Sequence, residues 1–249
     1  KEDWMLEYEY ARSALKLGLK IGEDIGVNPY KFGLFGTTDT HTALATTRED
    51  NYFGKYQHSE PSPERHNREV IPADDPSLRI MTSQEVASGL MAVWARENTR
   101  EDLFDAMQRK EVYATTGTRI RVRVFAGWDF QPEDLDTADF VAKGYRHGVP
   151  MGGDLSNAPQ GKAPILMIRA VRDPDGANLD RVQVIKGWLD SKGKTHERIY
   201  DVALSGGRTA GPDGRSREPV GNTVDIEQAT FTNTIGAAML TAHWVDPDF

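Results

Sequence analysis

The chain has no cysteine. Disulfides and thiolate metal sites are therefore excluded, and an exported or a cytoplasmic location both remain compatible. No apolar run approaches the ~20 residues of a membrane-spanning helix. Positive charge is in deficit, with 30 Lys and Arg against 38 Asp and Glu, a net −8. Such a balance lacks the basic footprint of a nucleic-acid binder. No repeat of fixed period is present, and none of the six histidines stands two residues from another. No pattern speaks to oligomeric state. What the sequence does have is length: 249 residues can bury a sizeable core in one large domain or two smaller ones.

The first part reads as alternating helix and strand. Trp4, Tyr8, Ala11, Leu15 and Leu19 recur at steps of three and four, which predicts an amphipathic helix over 2–20, closed by Gly22, Gly26 and Asn28-Pro29. Phe32, Leu34 and Phe35, broken by Gly33 and Gly36, predict a short strand buried on both faces, as in a parallel sheet. A helix feeding such a strand is half of a βαβ unit. Residues 42–80 are polar and proline-rich, the pattern of an irregular lid or binding loop. They carry His58 and His66, either possible contributors to a nearby site or solvated loop histidines. Residues 89–94 (GLMAVW) predict a second buried strand. "ENTREDLFDAMQRK" follows as a helix, with Asn98 as cap, Glu101 completing a capping box, and Leu103, Phe104 and Met107 as its apolar face.

The character changes near Gly117. Ile120, Val122 and Val124 alternate with Arg119, Arg121 and Arg123, a strand whose arginine face is either solvated or an anion-binding stripe. Residues 162–172, 179–189, 195–204, 222–228 and 237–245 also read as strands, with a hairpin turn at Lys192-Gly193 and a Gly-, Pro- and Arg-rich loop over 205–221. No helix pattern as clear as that of 99–110 follows. The expected organisation is an α/β region over 1–117 and an antiparallel, sandwich-like β domain over 118–249. The β half holds Trp128, Trp188 and Trp244, as aromatic core or as sugar-stacking platforms. Its His147, His196 and His243 are expected to be packed or at the surface. The chain opens inside a helix and stops just after a strand, so it is expected to be a portion of a longer protein, with the β domain truncated at its C-terminus.

The densest chemistry lies in "FGLFGTTDTHTALA", residues 32–45. On a strand, side chains two apart share a face, so Asp39 and His41 would point the same way from the strand's C-terminal end, where α/β folds place ligands and metals. A carboxylate and a neutral imidazole are good ligands for Zn, Mn or Fe ions. A turn stabilised by Asp39 beside a packed histidine is the plain alternative. Trp94, Asn98 and Arg100 sit where the second strand meets its helix, whose N-terminus favours an anionic group. Simple capping, packing and solvation account for them equally. Tyr113, Thr115, Thr116 and Arg119 offer hydroxyls and a guanidinium near the domain junction, where pockets often form.

Three blocks carry a resemblance: "GTTDTHTALA", "GLMAVWARENTREDLFDAMQRKEVYATTGTRIRVRVFAGW" and "LDRVQVIKGWLDSKGKTHERIYDVALSG". Together they resemble an uncharacterised bacterial family, a domain of unknown function grouped with the PHP (polymerase and histidinol phosphatase) metallohydrolases. The resemblance implies the C-terminal part of a distorted β/α barrel with metals at its strand ends. There, Asp39-Thr40-His41 matches the late D-x-H ligand motif of such proteins. The N-terminal H-x-H pair of PHP proteins has no counterpart, so the remaining ligands are expected upstream of Lys1. The site in this chain alone would then be incomplete, and the chain alone inactive.

The function that follows is a metal-dependent hydrolase, most simply a phosphoesterase, acting on a small-molecule ester with a metal-activated water as nucleophile. Asp39 and His41 would hold one metal, and Trp94, Asn98, Arg100 and Arg119 would contact substrate. The competing function is a non-catalytic binding or scaffold protein whose β domain recognises a glycan, lipid or protein partner. An H-x-H upstream of Lys1 would favour the hydrolase.

Overall fold

The computed structural model describes residues 2–5, 8, 10–41, 62–64, 67–84, 89–228 and 230–249. In chain order its elements are helix α1 (Ala11–Ile25), strands β1 (Glu69–Ile71), β2 (Ile80–Met81) and β3 (Leu90–Val93), helix α2 (Arg100–Gln108), strands β4 (Val112–Thr115) and β5 (Arg121–Gly127), helix α3 (Phe140–His147), and strands β6 (Gly148–Pro150), β7 (Ile165–Val171), β8 (Arg181–Leu189), β9 (Thr195–Leu204) and β10 (Met239–Val245). The chain is mixed α/β, with several antiparallel sheets and few helices. Among the described residues every ladder is antiparallel and no barrel is closed. None of the helices is long and apolar enough to cross a membrane. Two compact units emerge: Lys1–Gly33 together with Arg121–Phe249, and Leu34–Ile120.

In the first unit, β10, β7, β5 and β6 form one sheet in that order. The register places Phe125 opposite Met167, and Gly127 opposite Ile165. Phe125 and Met167 join Phe130, Leu135 and Phe140 in the core, beneath α3 and the 3-10 turn Pro132–Asp136. Each such side chain is worth about 1.5–3 kcal/mol when fully buried. Gly144 lets α3 sit this close, because a Cβ there would lie 2.4 Å from the Phe125 ring. The β8–β9 hairpin covers the other face, with Tyr200 against Trp244 at 5.2 Å between ring centroids. Helix α1 lies on that hairpin, where Arg12 and Lys16 each reach Glu197 at 3.2 Å. Its C-terminus closes on Gly26, whose left-handed backbone (φ 78) returns an N–H to Gly22 O, the usual glycine stop.

Two groups of polar side chains in this unit are tied into the chain by several hydrogen bonds each. The Asp201 carboxylate, fully buried, accepts from Arg181 Nη1 at 2.9 Å, Gln183 Nε2 at 2.6 Å and the Ser216 N–H at 2.7 Å. Arg208 donates to Asp180, Ser205 and Glu218, anchoring the glycine-rich loop after β9.

Several expectations are corrected. Helix α1 covers Ala11–Ile25, and the expected single helix over 2–20 is interrupted at Tyr10, which takes an extended backbone (φ −117, ψ 140), and at the 3-10 turn Asp3–Met5. Residues 32–35 form no strand and are not buried; Phe32, Leu34 and Phe35 are 43%, 45% and 57% exposed. Two glycines in a four-residue apolar run weaken strand formation. The half of a βαβ unit expected from the first helix and that strand is therefore not formed, and β3 and β4, joined by α2, pair antiparallel. The α2 cap is Thr99, which accepts from Asp102 N, and not Asn98. Residues 222–228 hold only an isolated bridge, Asp225 to Thr230, and the eight-residue helix α3 was not foreseen. Finally, Arg123 is buried, since both sheet faces are covered and its guanidinium lies over the Phe125 and Tyr145 rings at 5.1 and 5.3 Å.

Candidate functional site

The site is built within residues 34–120 by two glycines that allow close backbone approach. At Gly36 a Cβ would stand 3.1 Å from the carbonyl oxygens of both Leu90 and Thr115. At Gly89 (φ +101) it would stand 1.8 Å from Thr37 O, an impossible contact for any other residue. The chain therefore lies on the end of the β3–β4 pair where Leu90 opposes Thr115. It then turns. Thr37 Oγ1 accepts from Asp39 N at 3.3 Å and Thr38 Oγ1 from Thr40 N at 3.4 Å, two local hydroxyl-capped turns. Asp39 takes a left-handed backbone, φ 53, which Asp tolerates better than most residues.

This turn, rather than a strand, brings the two side chains together. Asp39 Oδ1 lies 3.2 Å from His41 Nε2, with the carboxylate side chain 65% and the imidazole 53% exposed. His41 is thus not packed away, and the turn's backbone N–H groups go to threonine hydroxyls. At the same end of the β3–β4 pair, Thr115 Oγ1 is buried and has no hydrogen-bond partner among the described residues, an arrangement that costs free energy. Arg119 follows four residues later and is exposed.

The other candidates lie elsewhere. Trp94 N donates to Glu111 O at the opposite end of β3, about 13 Å away by strand rise, and its ring leans on Tyr113 at 6.4 Å. Asn98 and Arg100 continue from there and are exposed. Strand rise therefore separates Trp94 from the Asp39 turn. His58 and His66 lie outside the described residues. One group was missed: Glu111 is 1% exposed and accepts from Arg109 Nε at 2.9 Å. Its only sequence signal is that arginine two residues earlier, which is too common to single it out.

The family model for a protein of unknown function (DUF3604) matches residues 1–249. The chain belongs to that family. No curated protein and no solved structure matches it. For this DUF3604 chain, the donor set itself tests the fit to a metal. Two donors on one tetrahedral ion, each ~2.1 Å from it, stand about 3.4 Å apart, close to the 3.2 Å between Asp39 Oδ1 and His41 Nε2. Spacing and donor chemistry fit. Among the described residues, no group of three or more His, Asp or Glu gathers to hold an ion.

Proposed function

We propose that this DUF3604 chain is the C-terminal portion of a PHP-type, metal-dependent hydrolase acting on small-molecule phosphoesters. Asp39 and His41 are two of its metal ligands, and the remaining ligands come from chain preceding Lys1. The observation that carries the proposal is the 3.2 Å approach of an exposed carboxylate oxygen and an exposed imidazole nitrogen. The exposed apolar run Phe32, Leu34 and Phe35 supports it, being the strand-like segment that neighbouring barrel strands would bury.

A divalent ion held there would supply Lewis-acid activation of water and stabilise charge on phosphoryl oxygens. This chain's own contribution is orientation. The Thr37 and Thr38 turns fix the backbone, Asp39 and His41 present their donors to one point, and the Thr115 hydroxyl is available to a group entering beside Gly36. Arg119, exposed and four residues beyond Thr115, would be the cation that meets an anionic ester.

The test uses the native gene product, assayed with bis-p-nitrophenyl phosphate and p-nitrophenyl phosphate alongside elemental analysis. His41→Ala and Asp39→Asn are expected to lose metal and activity together. Retention of both would refute the proposal.

A further inference from the structure

A second site lies in the β-rich unit, and its case is independent of any metal at Asp39 and His41. Between the loop after β7 and the excursion before β10 is a cavity of about 230 Å³, lined by Ala177, Asn178, residues 220–224, residues 231–233, Ile235 and Gly236. Every lining residue is neutral, in a chain with 27% charged residues. A wall of that kind carries no opposite charge to pair with a phosphate, a carboxylate or a metal ion.

Its floor is preorganised. Asn178 N donates to Asn233 Oδ1 at 2.8 Å, and Asn178 Nδ2 to Asn233 O at 3.2 Å and Ile235 O at 2.8 Å. Asn233 Nδ2 closes the latch on Gly176 O at 3.2 Å. The Leu179–Ala237 bridge lies directly beneath. Gly236 (φ +76) is required there, since a Cβ would meet Asn178 Cβ at 2.7 Å. One wall is pinned by Thr223 Oγ1 donating to Thr232 O at 2.7 Å.

Two polar atoms on the lining side chains remain without a partner among the described residues. Asn178 spends only its Nδ2, leaving its Oδ1 as an acceptor. Asn222 spends its Oδ1 on Val224 N, leaving its Nδ2 as a donor. Phe231, 43% exposed, supplies an aromatic wall. The tryptophans of residues 121–249 are committed elsewhere: Trp128 to Phe249, Trp188 to His196 and Trp244 to Tyr200.

We infer that this cavity binds a neutral sugar ring, its C–H face against Phe231 and a hydroxyl pair between Asn178 Oδ1 and Asn222 Nδ2. Aromatic wall, acceptor, donor and absence of charge are together the demands of an uncharged polyol ring.

The test is saturation-transfer NMR on the protein with methyl glycosides of glucose, galactose, mannose and N-acetylglucosamine, with glucuronate and hexanol as comparison probes. At least one neutral glycoside is expected to bind with a Kd near or below about 1 mM, a common range for a single small ligand. Phe231→Ala and Asn222→Ala, both on exposed positions, should each weaken it by about tenfold while the melting temperature stays unchanged. No neutral glycoside bound at about 10 mM, hexanol or glucuronate preferred, or binding unaltered in both variants would each overturn the inference.

Discussion

Two aspartates show how differently the two units treat a carboxylate. Asp201 in the β-rich unit is fully buried with an arginine, an amide and a backbone N–H around it. Burial alone would raise its pKa, yet the Ser216 N–H, Gln183 and Arg181 hold it below the usual carboxylate range. Asp39 in the other unit is 65% exposed beside an equally accessible imidazole. A carboxylate enclosed by its own donors is committed to the fold. One held at the surface by a tight turn beside an imidazole is not enclosed in that way. Exposed ion pairs contribute only ~0–1 kcal/mol to stability, so the contrast should appear in the variants.

The largest effect is expected at Asp201→Ala. Removing it leaves Gln183 Nε2 and the Ser216 N–H without their acceptor, at about 1–3 kcal/mol each, while Arg181 keeps Asp180 at 2.9 Å. At about 2–4 °C per kcal/mol for a chain of this size, the melting temperature should fall by roughly 10 °C. A change under about 2 °C in calorimetry would erase the distinction between the two aspartates.

Gly144→Ala comes next. Alanine raises helix propensity by about 1 kcal/mol, but its Cβ would press on the buried Phe125 ring at 2.4 Å. Overpacking of this kind costs about 1–3 kcal/mol. Urea unfolding should show net destabilisation; a more stable variant would mean that α3 does not seat on the sheet as described.

The pH test concerns Asp190 at the β8–β9 turn. His196 Nε2, 2.8 Å away, and then the Lys194 N–H depress its pKa from 3.8 to about 2. Because the folded value is the lower one, the carboxylate's support of the hairpin is complete above about pH 4 and is lost as pH falls toward 2. Carbon-detected NMR of the Asp190 carboxyl should give a midpoint near the depressed value. His196→Ala should move that midpoint up toward 3.8. An unmoved midpoint would show that the imidazole is not the main cause.

The smallest stability effects are expected at Asp39→Asn and His41→Ala. Asn keeps the tolerance for the left-handed backbone at position 39, and neither change removes packing. Both should unfold within about 0.5 kcal/mol of the parent, as surface substitutions do.

Much of the β-rich unit was legible in the sequence because β7, β8, β9 and β10 carry sustained strand patterns, and Lys192-Gly193 marks a turn that the φ of 74 at Gly193 requires. Helix α2 was legible through its acidic first turn and apolar face. What was not legible depends on tertiary partners. Arg123 alternates with valines as a surface residue would, and its burial rests on the rings of Phe125 and Tyr145 and on the Tyr145 hydroxyl that accepts from its Nη2. Helix α3 is two turns long and takes its place from Gly144 against Phe125, a contact no local pattern announces. At the candidate site the residue types of Asp39 and His41 were visible, but their mutual approach was assigned to a strand. The approach comes from the two threonine turns and the left-handed Asp39. The opposite placement of Trp94 was hidden because sequence proximity to a helix start says nothing about which end of β3 faces the turn.

The most direct measurement is elemental analysis of the purified native gene product and its His41→Ala variant, with thermal melts on the same samples. The account predicts bound divalent metal in the parent, a marked loss in the variant, and coincident melts once both are stripped of metal. Equal metal content in parent and variant would contradict it, and Asp39 and His41 would then be a surface ion pair and nothing more.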